Sequence, residues 1–340
     1  MAKLTLSLIA PPGNERIQAL MDGTIQPEGV ELITTKSIGA VTFWRQLRFQ
    51  EFDVAAMSIT SFTIAKTRGL DIDLVAIPVF PSGRFMQTEL SYHVDSGIKE
   101  PKDLVGKRIG IQEYQQTASV WVRGILEHDF GVSQYKVHWH MERDEELSHG
   151  GATGFTPPKG ISFQRVPRDK SLASMLVNNE IDVASVHKAF DEVPNVVDKS
   201  TRVRGREGDW SKVRPLFPDP IVEGARFFKK HGYIPANNIY VIRGELYRKH
   251  PWIAFNLYDA FMKAKDWARE HLREMIPNGL IFGRRYLAMT REIVGDDPFP
   301  YGVKANRKML ETLIEYTYEQ GLIPQKPKIE DLFVPNTWDL

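Results

Sequence analysis

Short runs of alternating or contiguous apolar residues recur along the chain, separated by stretches with helical spacing. Leu4-Thr5-Leu6-Ser7-Leu8-Ile9 alternates and then meets Pro11-Pro12-Gly13, which predicts a first strand and a turn. The pattern continues with a helix over 14–21, a strand over 30–34, a helix over 38–48 and a buried strand over 52–57. A helix over 58–68, a β-branched run over 72–79 and a strand over 90–94 complete this block. Pro101-Lys102-Asp103-Leu104-Val105-Gly106-Lys107 marks a fresh start, followed by a strand over 108–112. Thr117 and Gly131 read as the N-cap and the stop of a helix over 117–130. A strand over 136–140 leads into 141–160, a glycine-rich stretch with Pro157-Pro158 that reads as a long loop, a feature usually functional or mobile.

Further on, 171–178 is helical, 181–186 is a strand, and 195–213 is charged and irregular. A strand over 238–242 returns to the first block. Helices are expected over 253–275, 284–294 and 304–320, and a tail containing Pro324, Pro327 and Pro335 is expected to wrap the surface. Strands alternating with helices in this way predict an α/β fold built on parallel sheets.

One internal echo stands out. Glu51-Phe52-Asp53-Val54-Ala55 and Glu180-Ile181-Asp182-Val183-Ala184 share the pattern Glu-apolar-Asp-Val-Ala, and each opens a buried strand. Ligands of parallel sheets bind beyond the carboxyl ends of the strands. Residues 58–61 and 185–188 are therefore candidate cleft residues from opposite halves.

Composition narrows the chemistry. The 340 residues contain no cysteine, which excludes disulfides, thiolate nucleophiles and Cys-ligated metals. Forty-four basic against 43 acidic residues leave a net charge of +1, unlike the basic excess of nucleic-acid binders. No apolar stretch approaches the ~20 residues of a membrane-spanning helix. The alternating N-terminus lacks the apolar core of a secretory signal, so a cytoplasmic location is expected.

Several segments carry a family resemblance. They are Asp22-Gly23 with Pro27-Glu28-Gly29-Val30, the first echo, and Ala76-Ile77-Pro78-Val79-Phe80-Pro81-Ser82. Next come Asp103-Leu104-Val105-Gly106-Lys107-Arg108-Ile109-Gly110 and Glu113-Tyr114-Gln115-Gln116-Thr117-Ala118, the latter running into Val120-Trp121-Val122-Arg123-Gly124-Ile125-Leu126. His250-Pro251-Trp252, Pro300-Tyr301-Gly302-Val303 and Glu319-Gln320-Gly321-Leu322 follow. Spread in order over nearly the whole chain, they resemble the 4,5-dihydroxyphthalate decarboxylase family. The resemblance implies a two-lobed α/β fold like that of type II periplasmic binding proteins, whose lobes close on a ligand about a two-strand hinge. It places 1–95 with 236–340 in lobe 1 and the inserted 96–235 in lobe 2. Three loops depart from the family's usual runs: 10–16, 185–188 and 236–238. All three are expected to face the cleft.

Decarboxylation of a hydroxylated aromatic acid needs a carboxylate anchor, a general acid for the ring carbon and a way to hold the electron-rich transition state. Arg84, on a Gly-containing loop after a buried strand, is the first choice of anchor, because a guanidinium binds carboxylate bidentately. Arg16 and Lys188 are alternatives. Gln116 and Thr117 open a helix whose N–H groups favour an anion. Ser58, Asn14, Asn237 and Asn238 are further substrate-binding candidates; the bland reading of Asn237 and Asn238 is that they satisfy hinge backbone groups, and of the 113–117 turn that it is an N-cap and a polar turn. His187 titrates near working pH and is a candidate acid. Glu113 is the other, if burial raises its pKa. Trp121 reads as core.

Two other readings compete. A binding protein would hold a small aromatic or anionic ligand on the same fold without turnover. A metal-assisted enzyme would use His138 and His140, two imidazoles on one strand face, although no third ligand is set by spacing. The run Gly150-Gly151-Ala152-Thr153-Gly154 lacks the strand–helix context of a phosphate loop. No Gly-x-Ser-x-Gly or His-Glu-x-x-His motif occurs. The leading expectation is a cofactor-independent carboxy-lyase acting on a small aromatic carboxylate, with no nucleic-acid or membrane partner and homo-oligomerisation left open.

Overall fold

The chain passes twice between two sheets, and this double crossing organises everything else. The structure is a computed structural model that describes residues 3–37, 39–185, 197–202 and 209–340. Strands are β1 Leu4–Ala10, β2 Val30–Lys36, β3 Val54–Ser58, β4 Leu74–Ile77, β5 Leu90–His93, β6 Arg108–Ile111, β7 His138–Met141, β8 Ser162–Arg165, β9 Val183–Ser185, β10 Val213–Pro215 and β11 Asn238–Arg243. Helices are α1 Gln18–Met21, α2 Gly39–Phe49, α3 Ile59–Thr67, α4 Thr117–Phe130, α5 His149–Thr153, α6 Leu172–Val177 and α7 Lys199–Arg202. After them come α8 Pro220–His231, α9 Gly244–Lys249, α10 Trp252–Met275, α11 Gly283–Val294 and α12 Val303–Glu319.

The first sheet has the order β2-β1-β3-β11-β4 and the second β10-β5-β9-β6-β7-β8. The sheets are mixed rather than wholly parallel. β11 runs antiparallel to β3 and β4, and β5 runs antiparallel to β9 and β10. A strand that enters a lobe from the hinge must run against the strands whose carboxyl ends face that hinge, so each crossing contributes an antiparallel strand. Because β5 belongs to the second sheet, the first crossing falls between Ile77 and Leu90, upstream of the expected boundary at 95.

The two crossings pair with each other. Gly83 bridges Ala236 in antiparallel register, Arg84 N–H donates to Pro235 O (3.1 Å) and Asn237 N–H to Ser82 O (2.9 Å). A Cβ on Gly83 would stand 3.0 Å from Pro235 O and 3.2 Å from the Phe299 ring, so the glycine lets the strands approach. Trp121 is buried as expected, and its indole N–H donates to Ala236 O (2.8 Å), tying α4 to the hinge.

The sequence echo is a structural repeat. Asp53 Oδ2 accepts the backbone N–H (2.8 Å) and hydroxyl (2.9 Å) of Ser7 on β1, and its Oδ1 pairs with Arg243 (2.6 Å). Asp182 Oδ2 accepts the backbone N–H of Arg108 on β6 (2.8 Å), and the carboxylate grips the same residue's guanidinium (2.8 and 3.0 Å). In each lobe the aspartate ahead of the buried strand pins the neighbouring parallel strand through a backbone N–H; its arginine comes from that same strand for Asp182 and from the antiparallel β11 for Asp53.

Helix α12 follows lobe 1 in the chain yet packs on α4 of lobe 2. Buried Arg123 donates to Gln320 Oε1 (2.8 Å) and Tyr114 O (2.6 Å), and Gln320 Nε2 donates to Val120 O (2.9 Å). The tail does more than wrap the surface: Leu332, Phe333 and Val334 are buried, and Val334 N–H bonds Ala76 O (3.1 Å) at the edge of sheet one. The stretch 141–160 is not a plain loop either, since Ser148 caps the short α5 by accepting from Gly151 N–H. Among the described residues no helix is long and apolar enough to cross a membrane.

A Cβ on Gly124 would lie 2.0 Å from Tyr316 Cδ2. Gly124→Ala is therefore expected to destabilise the fold by about 1–3 kcal/mol through overpacking of the α4–α12 contact, read as a lowered thermal midpoint; an unchanged midpoint would show that Tyr316 can swing away.

Candidate functional site

The lobes meet where two helix N-termini point at each other. Ser58 ends β3 and caps α3, accepting from Ser61 N–H (3.3 Å), while its hydroxyl shares a 2.9 Å hydrogen bond with Thr117 Oγ1 at the start of α4. Thr60 N–H donates to the same Thr117 oxygen (3.1 Å). The fold thus brings together Ser58 and Thr117, both predicted from the sequence. The unsatisfied N–H groups and dipoles at such helix starts favour negative charge. Gln116 stands beside them and donates to Gln112 Oε1 (3.4 Å) and Ser119 Oγ (3.2 Å).

Next to this junction lies a buried polar cluster. Glu113, just past β6, is fully buried; its Oε2 accepts the backbone N–H of His149 (3.1 Å) and its Oε1 has no partner among the described residues. Arg143, two residues past β7, donates through Nε and Nη2 to Asp198 (2.5 and 3.2 Å) and through Nη1 to His149 Nε2 (3.4 Å). His149 Nδ1 is 2.9 Å from Ser61 Oγ of lobe 1, and Phe43 of α2 meets the imidazole edge-on at 5.9 Å. A guanidinium only donates, so Nε2 accepts; the ring is the neutral Nδ1–H tautomer, donating to Ser61.

Burial governs the protonation of the cluster. Desolvation raises the Glu113 carboxyl above its ordinary value, against the pull of Arg143 and the His149 N–H. Burial, reinforced by the Arg143 charge, pushes His149 well below an ordinary imidazole. Burial also opposes the charge on Arg143, but Asp198 outweighs it and the guanidinium is held more firmly protonated than usual. The result is a carboxyl biased toward its protonated form, beside a neutral imidazole and a compensated cation.

The hinge side carries the other predicted residues. Asn14 Oδ1 caps Arg16 N–H and its Nδ2 donates to Pro81 O (2.8 Å). Arg16 donates to Phe80 O (3.3 Å) and Pro81 O and stacks 4.0 Å from the Phe299 ring centroid. These two act as struts between the β1 and β4 loops. Arg84 turns its fork onto Glu89, so its charge is already matched. Asn238 Oδ1 accepts from Ser82 Oγ and from Asn237 Nδ2 (3.4 Å), and among the described residues the buried Asn238 Nδ2 has no partner. His187 and Lys188 lie outside the described residues.

His138 donates to, or accepts from, Ser162 Oγ (2.8 Å), and burial lowers the pKa of half-buried His140. Among the described residues no group of three or more His, Cys, Asp or Glu could hold a metal ion. Ser61 lay within the expected cleft run 58–61, whereas sequence reasoning overlooked Arg143, His149 and Asp198 as its partners. Arg143 was accessible through the rule that sites gather past the carboxyl ends of parallel strands. His149 was hidden, because the residues read as a loop fold into α5 only when packed on α2 and α3.

Two lobes joined by paired crossings, with polar loops of both sheets facing one another, define a binding-protein-like α/β architecture. The solved structure of the periplasmic aliphatic sulphonate binding protein SsuA from Escherichia coli matches with a TM-score of 0.53 at 12% identity, covering 98% of this chain and 92% of that one. The desulfurization enzyme DSZB matches with a TM-score of 0.50 at 12% identity, covering 99% and 98%. At such identities the likeness concerns the fold alone. Residues 28–147 match the family described as NMT1/THI5 like.

Sequence relatives are more specific. A 4,5-dihydroxyphthalate decarboxylase from Comamonas testosteroni is 29% identical over 337 residues, 98% of each chain. One from Pseudomonas putida is 36% identical over 182 residues, 54% of this chain and 70% of the relative. The chain belongs to the 4,5-dihydroxyphthalate decarboxylase family.

Arg143→Met would leave Asp198 buried without its cation. Loss of one partner of a buried pair typically costs about 3–5 kcal/mol, and a reduction of that size in denaturant unfolding is expected; a change under about 1 kcal/mol would mean that water solvates the site.

Proposed function

We propose that this protein is a cofactor-independent carboxy-lyase that releases CO2 from a hydroxylated aromatic dicarboxylate such as 4,5-dihydroxyphthalate. The observation that carries this reading is Glu113: a fully buried carboxyl, raised in pKa by desolvation, with one oxygen unpartnered. It sits at the lobe junction of a chain whose relative over 98% of its length is named a 4,5-dihydroxyphthalate decarboxylase.

The chemistry then follows from the groups present. The substrate carboxylates sit against the helix starts at Ser58 and Thr117, where N–H dipoles stabilise negative charge. Asn238 Nδ2, lacking a partner, donates to a phenolic oxygen. A phenolate para to the departing carboxylate pushes its electrons to that ring carbon, and protonated Glu113 delivers a proton there. The bond between ring and carboxylate breaks, CO2 leaves, and the electron pair restores the aromatic ring and the phenolate. Glu113 ends as a carboxylate and takes up a proton from water as the lobes close again and burial restores the protonated form. Proton and electrons both come from named groups, so the step calls on no cofactor. Lobe closure excludes water and keeps the acid protonated.

The same fold without turnover would be a binding protein. Incubation with phthalates and hydroxybenzoates while measuring CO2 separates the two readings: saturable binding without CO2 from any of them would favour the binder. We place the reaction in the cytoplasm. Cell fractionation checks the location.

Glu113→Gln is expected to lower kcat by at least about 100-fold, the scale for loss of a general acid, with KM changed far less. In the wild type, kcat is expected to fall as pH rises through the elevated Glu113 pKa, because only the protonated form reacts. Steady-state CO2 release over a pH series measures both; undiminished kcat in the variant removes Glu113 from the chemistry.

A further inference from the structure

His149 touches both lobes and the acid at once. Its backbone N–H holds Glu113 Oε2 (3.1 Å), its Nε2 accepts from Arg143 (3.4 Å), and its Nδ1–H reaches Ser61 Oγ across the junction (2.9 Å). Residues of both lobes enclose the ring: Phe43 of α2 and Ser61 of α3 from lobe 1, and Glu113 past β6 and Arg143 past β7 from lobe 2. Behind them stand Asp198, which pairs with Arg143, and Arg165, which donates to Arg143 O (3.2 Å). We infer that His149 is a positioning residue that couples lobe closure to the acid, its cross-lobe bond to Ser61 holding α5 down over Glu113 so that the proton donor is assembled only in the closed molecule. This rests on the reading of Glu113 as the acid.

The physical argument has two parts. With the lobes shut, Ser61 and Phe43 exclude water from the ring and from the carboxyl beneath it, and an uncharged carboxyl is the form that burial favours. With the lobes apart, the Nδ1–H loses Ser61 and the ring meets water. Any proton it then takes faces the Arg143 guanidinium, and the repulsion loosens the first turn of α5, which carries the N–H held by Glu113. Water then reaches Glu113, which ionises at neutral pH and cannot donate. The acid is thereby inactive whenever the cleft is open to solvent. The burial that raises Glu113 and lowers His149 agrees with this arrangement.

The test uses Ser61→Ala and His149→Gln in the full chain with 4,5-dihydroxyphthalate as substrate. Ser61→Ala is expected to lower kcat about tenfold, the loss corresponding to one positioning hydrogen bond, with KM changed less than about threefold. It is also expected to move the alkaline limb of the kcat profile to lower pH, because a wetter Glu113 loses its proton sooner. His149→Gln is expected to move the limb in the same direction. A residue that merely packs would lower stability and leave that limb in place. Small-angle scattering of the ligand-free chain reads the latch without turnover, and Ser61→Ala is expected to have the larger radius of gyration. A wild-type pH profile in both variants, or an unchanged radius in Ser61→Ala, overturns the inference. If the wild type itself releases no CO2, decarboxylation fails as a reading and the radius alone decides the latch.

Discussion

The antiparallel pairing of residues 82–84 with 235–237 is the constraint on which the remaining structure depends. It fixes where the chain leaves one sheet and re-enters it, and so turns the carboxyl ends of the parallel strands in both sheets toward a common cleft. Loops that would otherwise be solvated become a shared polar interior. The exposed N–H groups at the starts of α3 and α4 must then find partners. At α3 the Thr60 N–H finds Thr117 Oγ1 across the junction, and the α3 cap Ser58 shares a hydrogen bond with that same oxygen. Both helix starts present dipoles that favour negative charge.

Desolvation supplies the chemistry at this junction. Arg143 and Asp198 compensate each other in the interior, where an unmatched ion would be costly. That pairing leaves Glu113 without a full counter-charge, and burial raises its pKa above that of an ordinary carboxyl. Had Arg143 turned its fork to Glu113 instead, the carboxyl would have been a stable anion with nothing to donate. The partner chosen by one arginine thus separates a salt bridge from an acid.

The fold does not by itself decide between binding and catalysis, since a sulphonate binder and a desulfurization enzyme both share it. The two lobes repeat one plan, visible in Asp53 and Asp182 doing the same work on β1 and β6. What differs lies at the strand ends. In lobe 1 these carry hydroxyls and amides; in lobe 2 they carry the acid, the imidazole and the guanidinium. The two sets meet at Ser58 and Thr117 and again at Ser61 and His149.

Much of the architecture was legible from pattern alone, because burial on both faces of a strand and one face of a helix leaves a periodic trace. The buried strands, the long C-terminal helices and the paired echo could all be read this way, and Glu113 and Ser58 could be placed at strand ends and Thr117 at a helix start. Antiparallel entry of β5 and β11 could not be read, since strand direction depends on where the hinge lies and leaves no mark on composition. Nor could the commitments of individual side chains. Arg84 looked free and is matched by Glu89, Arg16 is held by carbonyls, and His149 looked like a loop residue until α5 packed between the lobes. Local sequence determined which residues are hydrophobic, which turn and which carry charge. Tertiary structure decided which charges meet and which lose water, because pairing and desolvation arise between segments remote in the chain.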